Sequence, residues 1–426
     1  MKNKERLNYF VFRLPYDRIR SGYYSDKYFL RTCEILKKDR RKVKVLYQFF
    51  LKKEAVVCGI DEALAILKTC TGYYKDEEKA QKLFKEIITL DRLIARFSFK
   101  PSKKLLELYK KRIVLREKLN ALWVDKSRSL KVKALYDGEI VKPYEIILTI
   151  EGNPAYFAYL ETLLLGVIAR ATSTATAVWR VKKAAEGKPI LFFSARFDHF
   201  WNQATDGYAA MVAGASGVST DAQGDWWGIE SMGTIPHSLI ASYSGNTSLA
   251  AIKFDKYIHH KVNRIVLVDW ENDCIGTTFK VLKDFYYKIF GVKPPKLEDL
   301  SKVIGKGKGK IWGVRFDTAE NLRDFSVEPV NEKSLGVCPQ LVFKARKEFD
   351  KYGLHNLKIV VSGGFDEKKI ELFEKLNVPA DAYGVGSSLL KSKIDITADV
   401  VKVNGKPCAK FGRYPGDYSR LKSVKL

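Results

Sequence analysis

The sequence predicts an α/β protein in which an irregular α/β barrel is flanked by a mixed α+β domain built from both chain ends. Three features predict this fold class. Between about 189 and 390, short apolar runs alternate with helical segments, as in parallel strands joined by helices. Between about 61 and 122, apolar residues recur at the three- and four-residue spacing of amphipathic helices. After about 393 the sequence becomes strand-like again.

These features divide the chain into three segments. Residues 1–145 form the amino-terminal α+β domain, with a strand-like stretch at Val43–Leu51 and a helical insert over about 61–122 that Pro101 divides. Residues 146–392 form the barrel, entered through the strand-like stretch Tyr144–Ile150. Residues 393–426 are expected to pack back on the amino-terminal domain.

The barrel is predicted from seven apolar runs, each followed by a turn and a helical segment. Seven such units in about 200 residues fit a closed or nearly closed barrel better than an open sheet. In chain order the runs are Pro189–Phe197, Ser216–Thr220, Met232–Ile240, Arg264–Trp270, Lys310–Asp317, Lys358–Phe365 and Asp381–Leu390.

The chain is strongly basic, with 75 Lys and Arg against 49 Asp and Glu and a net charge of +26. Such a charge fits a nucleic-acid partner, a phosphate-rich small substrate or a lysine-rich solvated surface. The basic runs at 37–44 and 305–310 lack the interleaved aromatic residues of a base-stacking surface. The composition therefore favours a solvated surface and disfavours nucleic acid, but it does not decide the function.

The sequence also indicates where the protein works. The richest apolar stretch, Ala158–Ala169, is broken by Glu161, and the first residues lack the apolar core of a secretory signal. The six cysteines stand far apart without a Cys-x-x-Cys pair, which argues against a disulfide framework and a sequence-evident zinc site. We therefore expect a soluble, cytoplasmic protein with no membrane partner.

Reactive side chains of α/β barrels cluster at the carboxyl ends of the strands. Glycine-rich turns at strand ends can bind phosphate through backbone N–H groups, and arginine binds phosphate or carboxylate with two parallel hydrogen bonds. Carboxylates there can hold Mg²⁺ or ribose hydroxyls, and an imidazole can act as a base or a nucleophile. The strand ends carry Arg196, Thr234, His237, Asp269, Glu271, Asp273, Arg315, Asp317, the turn Ser362-Gly363-Gly364 and the turn Gly384-Val385-Gly386-Ser387.

Each of these features also has a purely structural interpretation. A glycine pair after a strand is more often a tight turn than a phosphate site, and a strand-end aspartate is about as often a helix cap as a ligand. His237, beside Pro236 on an apolar run, resembles a structural histidine, and the other four histidines show no ligand spacing. The convergence of cations, carboxylates, imidazole and glycine turns at strand ends nevertheless indicates a phosphate-bearing substrate.

The motifs resemble the nicotinate phosphoribosyltransferase family over most of the chain. The resemblance begins at Leu14–Thr32 and ends at NGKPCAKFGR near the carboxyl terminus. GTIPHS, the SGG turn and the GVGSS turn are specific in combination, whereas each alone is weak. The remaining matching motifs are EGNPAYFAYLETLLLG, SARF, GVST, LVDWEND, GVRFD and VSGGFDEKKI.

The resemblance implies a type II phosphoribosyltransferase that joins nicotinate to phosphoribosyl pyrophosphate in NAD salvage, with Mg²⁺ as cofactor and ATP as co-substrate. It also implies a homodimer with interfacial active sites. By motif, His237 would be phosphorylated and Asp317 would lie near the ribose and metal, with Asp269 and Asp273 as further candidate metal ligands. Nicotinate would meet Tyr28, Arg196, Thr234 and Arg315. Phosphoribosyl pyrophosphate would meet Ser362, Gly363, Gly364, Gly384, Gly386 and Ser387.

Three departures leave the base open among nicotinate, nicotinamide and quinolinate. Asp317-Thr318-Ala319-Glu320 replaces the family's Asp-Ser-Gly-Asp, Phe197 replaces an arginine, and the stretch 223–227 is unusual. Two other interpretations remain. Residues 265–278 echo the phosphoribosyl-pyrophosphate loop of type I phosphoribosyltransferases, and a nucleic-acid-binding protein on a degenerate enzyme fold would also suit the net charge.

Overall fold

A computed structural model of the chain describes residues 5–97 and 101–426. The strands are β1 Val45–Leu51, β2 Ala55–Val56, β3 Gly72–Tyr74, β4 Trp123–Asp125, β5 Lys131–Ala134, β6 Ile140–Val141, β7 Ile146–Gly152, β8 Ile190–Phe192, β9 Gly217–Val218, β10 Ile265–Leu267, β11 Gly313–Phe316, β12 Lys358–Val361, β13 Ala382–Val385, β14 Ile396–Val403, β15 Lys406–Pro407 and β16 Lys422–Val424. The α-helices are α1 Tyr16–Arg20, α2 Lys27–Lys38, α3 Ile60–Cys70, α4 Glu77–Arg96, α5 Lys103–Asn120, α6 Glu161–Ala184, α7 Gln203–Val212, α8 Asp221–Gly224, α9 His237–Ser242, α10 Thr247–Tyr257, α11 Cys274–Phe290, α12 Pro339–Lys351 and α13 Glu367–Lys375.

The chain divides into two compact units, Met1–Ser173 with Lys393–Leu426, and Thr174–Ser392. The first unit contains the antiparallel sheet β15-β14-β1-β7-β5-β16, so strands from both chain ends lie side by side. The boundary that the sequence suggested between residues 145 and 146 falls inside this unit, because β7 pairs with β1 and β5. Its residues Ile147, Leu148 and Ile150 are fully buried in the core of that unit.

The predicted helical insert over about 61–122 contains most of α3, the short strand β3, and the long helices α4 and α5. Asp76 caps α4 by accepting a hydrogen bond from the Lys79 N–H, and Ser102 caps α5 by accepting one from Leu105. The two helices pack through a small separate core, which contains Ile87, Leu90, Leu115 and Leu119. Residues 98–100 beside Pro101 lie outside the described residues.

The second unit contains a curled parallel sheet, a half-barrel with the strand order β10-β11-β12-β13-β8-β9. Every recorded pairing in it is parallel. Side chains alternate between its faces, as the two-residue period of a strand requires. One face packs against α10 to α13, and the other carries a small cluster of Leu191, Ile265, Val360 and Ala382. The predicted α/β class and barrel-like architecture are confirmed.

One of the seven predicted strand units is wrong. Six of the runs contain a strand, but Met232–Ile240 leads irregularly into α9. Pro236 has no N–H to give to a ladder. Two backbone hydrogen bonds join this segment to β9 and β10. Met232 N–H donates to Val218 O at 2.8 Å and Ile235 N–H to Ile265 O at 3.3 Å. The segment therefore lies beside β9 and β10 without completing the barrel.

A buried ion pair fixes the chain just before β10. Arg264 and Asp255 are each 1% exposed, with Arg264 Nε 3.0 Å from Asp255 Oδ1. Asp255 also accepts from Lys288 Nζ and the Gly309 N–H, both at 2.9 Å. Burial raises the pKa of Asp255, but the Gly309 N–H and Lys288 outweigh it, so that this pKa lies below its ordinary value. The pair therefore anchors the end of α10 to the start of β10.

Among residues 5–97 and 101–426, one helical stretch, Ala158–Ala184, is long and apolar enough to cross a membrane by length and composition alone. Half of its apolar window is buried inside the protein, which is typical of a core helix. All six cysteines are free thiols, and only Cys408 is exposed.

Candidate active site

A cleft of about 520 Å³ lies at the carboxyl ends of the half-barrel strands. Loops that follow β8, β11, β12 and β13 form its walls, together with residues around Ser219 and Gly233. Most of the side chains predicted for the site line this one cleft. These are Arg196, Thr234, Arg315, Asp317, Ser362, Gly363, Gly364, Gly384, Gly386 and Ser387.

Arg315 and Asp317 form the charged floor of the cleft. Arg315 Nη2 lies 3.6 Å from Asp317 Oδ2, and the arginine side chain is 14% exposed. Its Nε is buried without a hydrogen-bond partner among the described residues. Burial lowers the pKa of Arg315, against the opposing effect of the nearby Asp317 and Asp269 carboxylates. An arginine held in this way is prepared to bind an anion, because a buried N–H without a partner is unfavourable.

Asp317 is oriented by the next strand of the sheet. Ser362 Oγ donates a hydrogen bond to Asp317 Oδ1 at 2.8 Å, and the Ser362 N–H donates to Phe316 O at 2.9 Å. Ser362 is buried, whereas the Asp317 side chain is 28% exposed. The carboxylate is therefore fixed between the Arg315 guanidinium and the glycine turn after β12.

His237, the first residue of α9, is paired with Asp269 at the end of β10. Its Nε2 lies 3.0 Å from both carboxylate oxygens of Asp269, whose side chain is 8% exposed. The hydrogen bond to Asp269 raises the pKa of His237; Asp317 acts in the same direction and Arg315 opposes it. The carboxylate therefore favours the tautomer with hydrogen on Nε2, which leaves the Nδ1 lone pair available.

The turn after β12 has the backbone conformation that glycine permits. Gly363 has φ +85° and Gly364 has φ +66°, and a Cβ on Gly363 would lie 3.3 Å from Asp317 Oδ1. A Cβ on Gly364 would lie 1.7 Å from Glu320 Oε1. The Glu320 carboxylate therefore lies against the turn expected to bind phosphate.

One glycine inside β13 and one just after it make room for aromatic rings. A Cβ on Gly384 would lie 2.6 Å from Phe193 Cε2, and one on Gly386 would lie 2.6 Å from Phe197 Cε2. Ser194 Oγ donates to Gly386 O at 2.8 Å, which ties the loop after β8 to this turn. Phe197, at the position where the resemblance led us to expect an arginine, therefore fills one wall of the cleft with an apolar ring.

Four residues predicted as catalytic, metal-binding or substrate-binding do not line this cleft. His237 and Asp269 pair with each other, and Asp273 and Tyr28 lie elsewhere in the fold. Asp273 caps α11 by accepting a hydrogen bond from the Gly276 N–H at 2.8 Å. Tyr28 belongs to the first compact unit, where its side chain is 60% exposed near the start of α2.

The predicted metal ligands do not assemble into a metal centre. Within residues 5–97 and 101–426, no three His, Cys, Asp or Glu side chains are grouped to hold a metal ion. Asp269 faces His237, Asp273 caps a helix, and Asp317 faces Ser362 and Arg315.

The resemblance of 265–278 to a type I phosphoribosyl-pyrophosphate loop is not matched by the structure. Gly276, Thr277 and Thr278 lie inside α11, so their backbone groups belong to a helix. Glu271 accepts a hydrogen bond from Thr277 Oγ1 at 3.0 Å and pairs with Lys280. This segment forms a capped helix start.

The residues in or beside the cleft that the sequence did not predict include Phe193, Lys369 and Met232. Phe193 lies under Arg315, with the guanidinium carbon 5.8 Å from the ring centre. Lys369 Nζ donates to Gly363 O at 3.2 Å, and burial lowers the pKa of this lysine. Met232 lines the cleft beside Gly233. Position at a strand end could have identified Phe193, whereas no sequence pattern marks Lys369, which lies on α13.

No protein-family model matches the chain. It is 28% identical over 286 residues to nicotinate phosphoribosyltransferase pncB1 of Mycobacterium tuberculosis, which covers 65% of this chain and 55% of the relative. It is 26% identical over 258 residues to the nicotinate phosphoribosyltransferase of Bacillus subtilis, covering 60% and 45%. The chain thus spans about half the length of these curated relatives.

Among solved structures, nicotinate-nucleotide pyrophosphorylase from Pyrococcus furiosus matches with a TM-score of 0.67 and 27% identity, over 96% of this chain and 85% of that one. Human nicotinic acid phosphoribosyltransferase matches with a TM-score of 0.54 and 16% identity, over 92% and 77%. The fold is therefore that of the type II phosphoribosyltransferases. In sequence, the chain is similar to curated nicotinate phosphoribosyltransferases.

Proposed function

We propose that the protein is a nicotinate phosphoribosyltransferase, which joins nicotinate to phosphoribosyl pyrophosphate and releases pyrophosphate. The observation that carries the proposal is the buried Arg315, whose Nε has no partner, in a cleft with Asp317 and two glycine-containing turns. Cleavage of the ribosyl–pyrophosphate bond develops positive charge on the sugar and negative charge on the leaving group. A fixed cation beside a fixed carboxylate stabilises both.

The cleft also suits the pyridine base. Phe193 offers a flat apolar face, and Arg196 and Arg315 can pair with a ring carboxylate. The pyridine nitrogen already has its lone pair, so the bond to the sugar forms without a proton transfer. Ser362, the glycines of the two turns and Ser387 would bind the 5′-phosphate through backbone N–H and hydroxyl groups.

ATP coupling would use His237. Its Nε2 faces Asp269, so Nδ1 is the atom that would attack the γ-phosphoryl group of ATP, with ADP as the leaving group. The protonated imidazole has no free lone pair and cannot attack. Because the pKa of His237 is raised, we expect phosphorylation of this residue to increase with pH.

The described residues do not by themselves form a metal-binding group, but Asp317 fits a cation that is held mainly by substrate. Mg²⁺ commonly binds to one or two carboxylates plus substrate phosphates and water. When bound, it would neutralise charge on the pyrophosphate. We further propose a cytoplasmic homodimer in which Tyr28 of one subunit reaches the cleft of the other; its 60% exposed ring is compatible with that role.

The test measures mononucleotide formation from phosphoribosyl pyrophosphate and Mg²⁺ with nicotinate, nicotinamide or quinolinate, each with and without ATP. We expect nicotinate turnover that ATP stimulates. His237→Ala should abolish the stimulation, and Arg315→Ala should lower turnover by about a hundredfold or more, as loss of a fixed transition-state donor does. Absence of product with all three bases would refute the proposal.

Matched controls separate chemistry from folding. His355→Ala removes a histidine that pairs with Asp350 at 2.9 Å on the surface and is 67% exposed. Arg92→Ala removes an exposed arginine of α4. Both variants should keep wild-type turnover, and a loss with either would show that the assay reports general instability.

A phosphoribosyltransferase for another base is the second candidate. Phe197 lies against Gly386, where the family has an arginine, so this wall of the cleft has less positive charge for a carboxylated base. Turnover of nicotinamide above nicotinate, with retained dependence on Arg315, would favour this candidate.

A further inference from the structure

A second cavity, of about 580 Å³, lies within the first compact unit. One face of α2 and one face of α4 form its sides, since Leu30, Cys33 and Lys37 recur at helical spacing on one and Ala80 and Phe84 on the other. The strands β3 and β4 contribute Gly72, Tyr73, Tyr74 and Trp123. Small-molecule sites occupy roughly 300–1,000 Å³, so the volume suits a ligand of that class.

Aromatic rings line the cavity. Tyr23 meets Phe84 edge-on, with ring centres 5.9 Å apart, and half of the Tyr23 side chain is exposed. Tyr74 meets Trp123 edge-on at 5.0 Å. Trp123 Nε1 is buried and has no hydrogen-bond partner among the described residues. A flat ring with a hydrogen-bond acceptor on its edge would complement this lining.

The two ends of the cavity differ in charge. At one end Lys37 is paired with Glu77, an ion pair that joins α2 to α4. Lys27 lies ten positions before Lys37 on α2, which corresponds to about 15 Å along a helix. Lys27 is therefore at the other end of the cavity, near Tyr23 and Phe84. Lys85 lies next to Phe84 on α4. Neither Lys27 nor Lys85 has an ion pair within residues 5–97 and 101–426.

The remaining charges do not neutralise this end. Glu34 is paired with Lys38, and Arg20 donates to Thr69 O at 2.6 and 2.8 Å while its guanidinium carbon lies 4.8 Å from the Trp123 ring centre. The cavity therefore combines aromatic walls with two unpaired ammonium groups at one end. Aromatic walls bind a base by stacking, and ammonium groups bind phosphate.

We propose that this cavity is a second ligand site, which binds a nucleoside monophosphate with its base between the aromatic rings and its phosphate on Lys27 and Lys85. The residues that line this cavity all belong to the first unit, whereas the residues that line the candidate active-site cleft all belong to the second. The proposal does not depend on the reaction that the cleft catalyses.

The test is isothermal titration of the full chain with adenosine 5′-monophosphate, adenosine and inorganic phosphate. We use a background with Arg196→Ala and Arg315→Ala, which removes the cations of the cleft. We expect the monophosphate to bind in that background, and adenosine and inorganic phosphate each to bind at least about tenfold more weakly, because each lacks half of the recognised groups.

Substitutions of residues that line the cavity test whether it is the site that binds the monophosphate. Lys27→Ala with Lys85→Ala should weaken monophosphate binding about tenfold or more, and Phe84→Leu should weaken it severalfold. Lys79→Ala with Lys82→Ala removes two exposed lysines of α4 that do not line the cavity and should leave binding within twofold. Absence of binding, loss of binding in the Arg196 and Arg315 background, or indifference to Lys27 and Lys85 would each overturn the proposal. Equal binding of inorganic phosphate would overturn it as well.

Discussion

The Glu320 carboxylate lies against the Gly363-Gly364 turn, where the phosphate of phosphoribosyl pyrophosphate is proposed to bind. We predict that Glu320→Gln strengthens binding of that substrate, because it removes a negative charge from an anion site while keeping the shape. Two unit charges about 4 Å apart repel by about 1 kcal/mol in water and by about 4 kcal/mol near a protein surface. Glu320 is exposed, so the lower figure applies. It corresponds to about fivefold in the dissociation constant.

The assay is calorimetric titration with phosphoribosyl pyrophosphate and Mg²⁺ in the absence of a base, so that no turnover is needed. Glu328→Gln is the matched control, because Glu328 is an exposed glutamate of the same unit that does not line the cleft. Weaker binding by Glu320→Gln would refute the reasoning and assign the carboxylate a role in holding the metal or substrate. Unchanged binding would show that the carboxylate lies away from the bound phosphate.

Three further predictions concern the second unit. Asp255→Asn should lower the free energy of unfolding by about 3–5 kcal/mol in urea titrations, because it leaves the Arg264 charge buried with a neutral partner. Since the pKa of Asp255 is lowered, the stability that it contributes should persist at neutral pH and be lost as the pH falls below about 4. Asp269→Asn should lower the pKa of His237 and move autophosphorylation to lower pH. An NMR titration of the five histidines would measure this change in pKa. An unchanged His237 titration would contradict the prediction. Gly384→Ala places a Cβ 2.6 Å from a ring carbon and should cost about 1–3 kcal/mol in thermal unfolding, with weaker binding of phosphoribosyl pyrophosphate.

Strand-end reasoning predicted much of the cleft because the carboxyl ends of parallel strands meet at one edge. Arg315, Asp317 and the turn after β12 were identified in this way, and they line one cleft. The register between β11 and β12 aligns Phe316 with Val361, so Asp317 and Ser362 emerge beside each other. A local sequence pattern was sufficient to predict these residues, because the geometry of a parallel sheet brings the carboxyl ends of its strands together.

For physical reasons, the sequence alone could not predict two features of the structure. The run Met232–Ile240 has the composition of a strand, but Pro236 cannot donate to a ladder, and tertiary contacts determine its irregular course. Asp273 was a candidate metal ligand, yet the N–H of Gly276, three residues later, donates a hydrogen bond to its carboxylate and makes it a helix cap. Capping and ligation use the same carboxylate, and only the fold distinguishes them.

The pairing of β1 with β14 has a consequence for biosynthesis. Lys44 N–H donates to Asn404 Oδ1 across 360 positions, so the first sheet needs residues from near the end of the chain. The half-barrel is continuous in sequence from Thr174 to Ser392 and has all of its strands earlier. Domains generally fold as units while the ribosome is still adding residues. During translation, the edge of β1 that pairs with β14 therefore stays unpaired until after the half-barrel has been made. We expect chaperones to bind the nascent chain mainly during that interval.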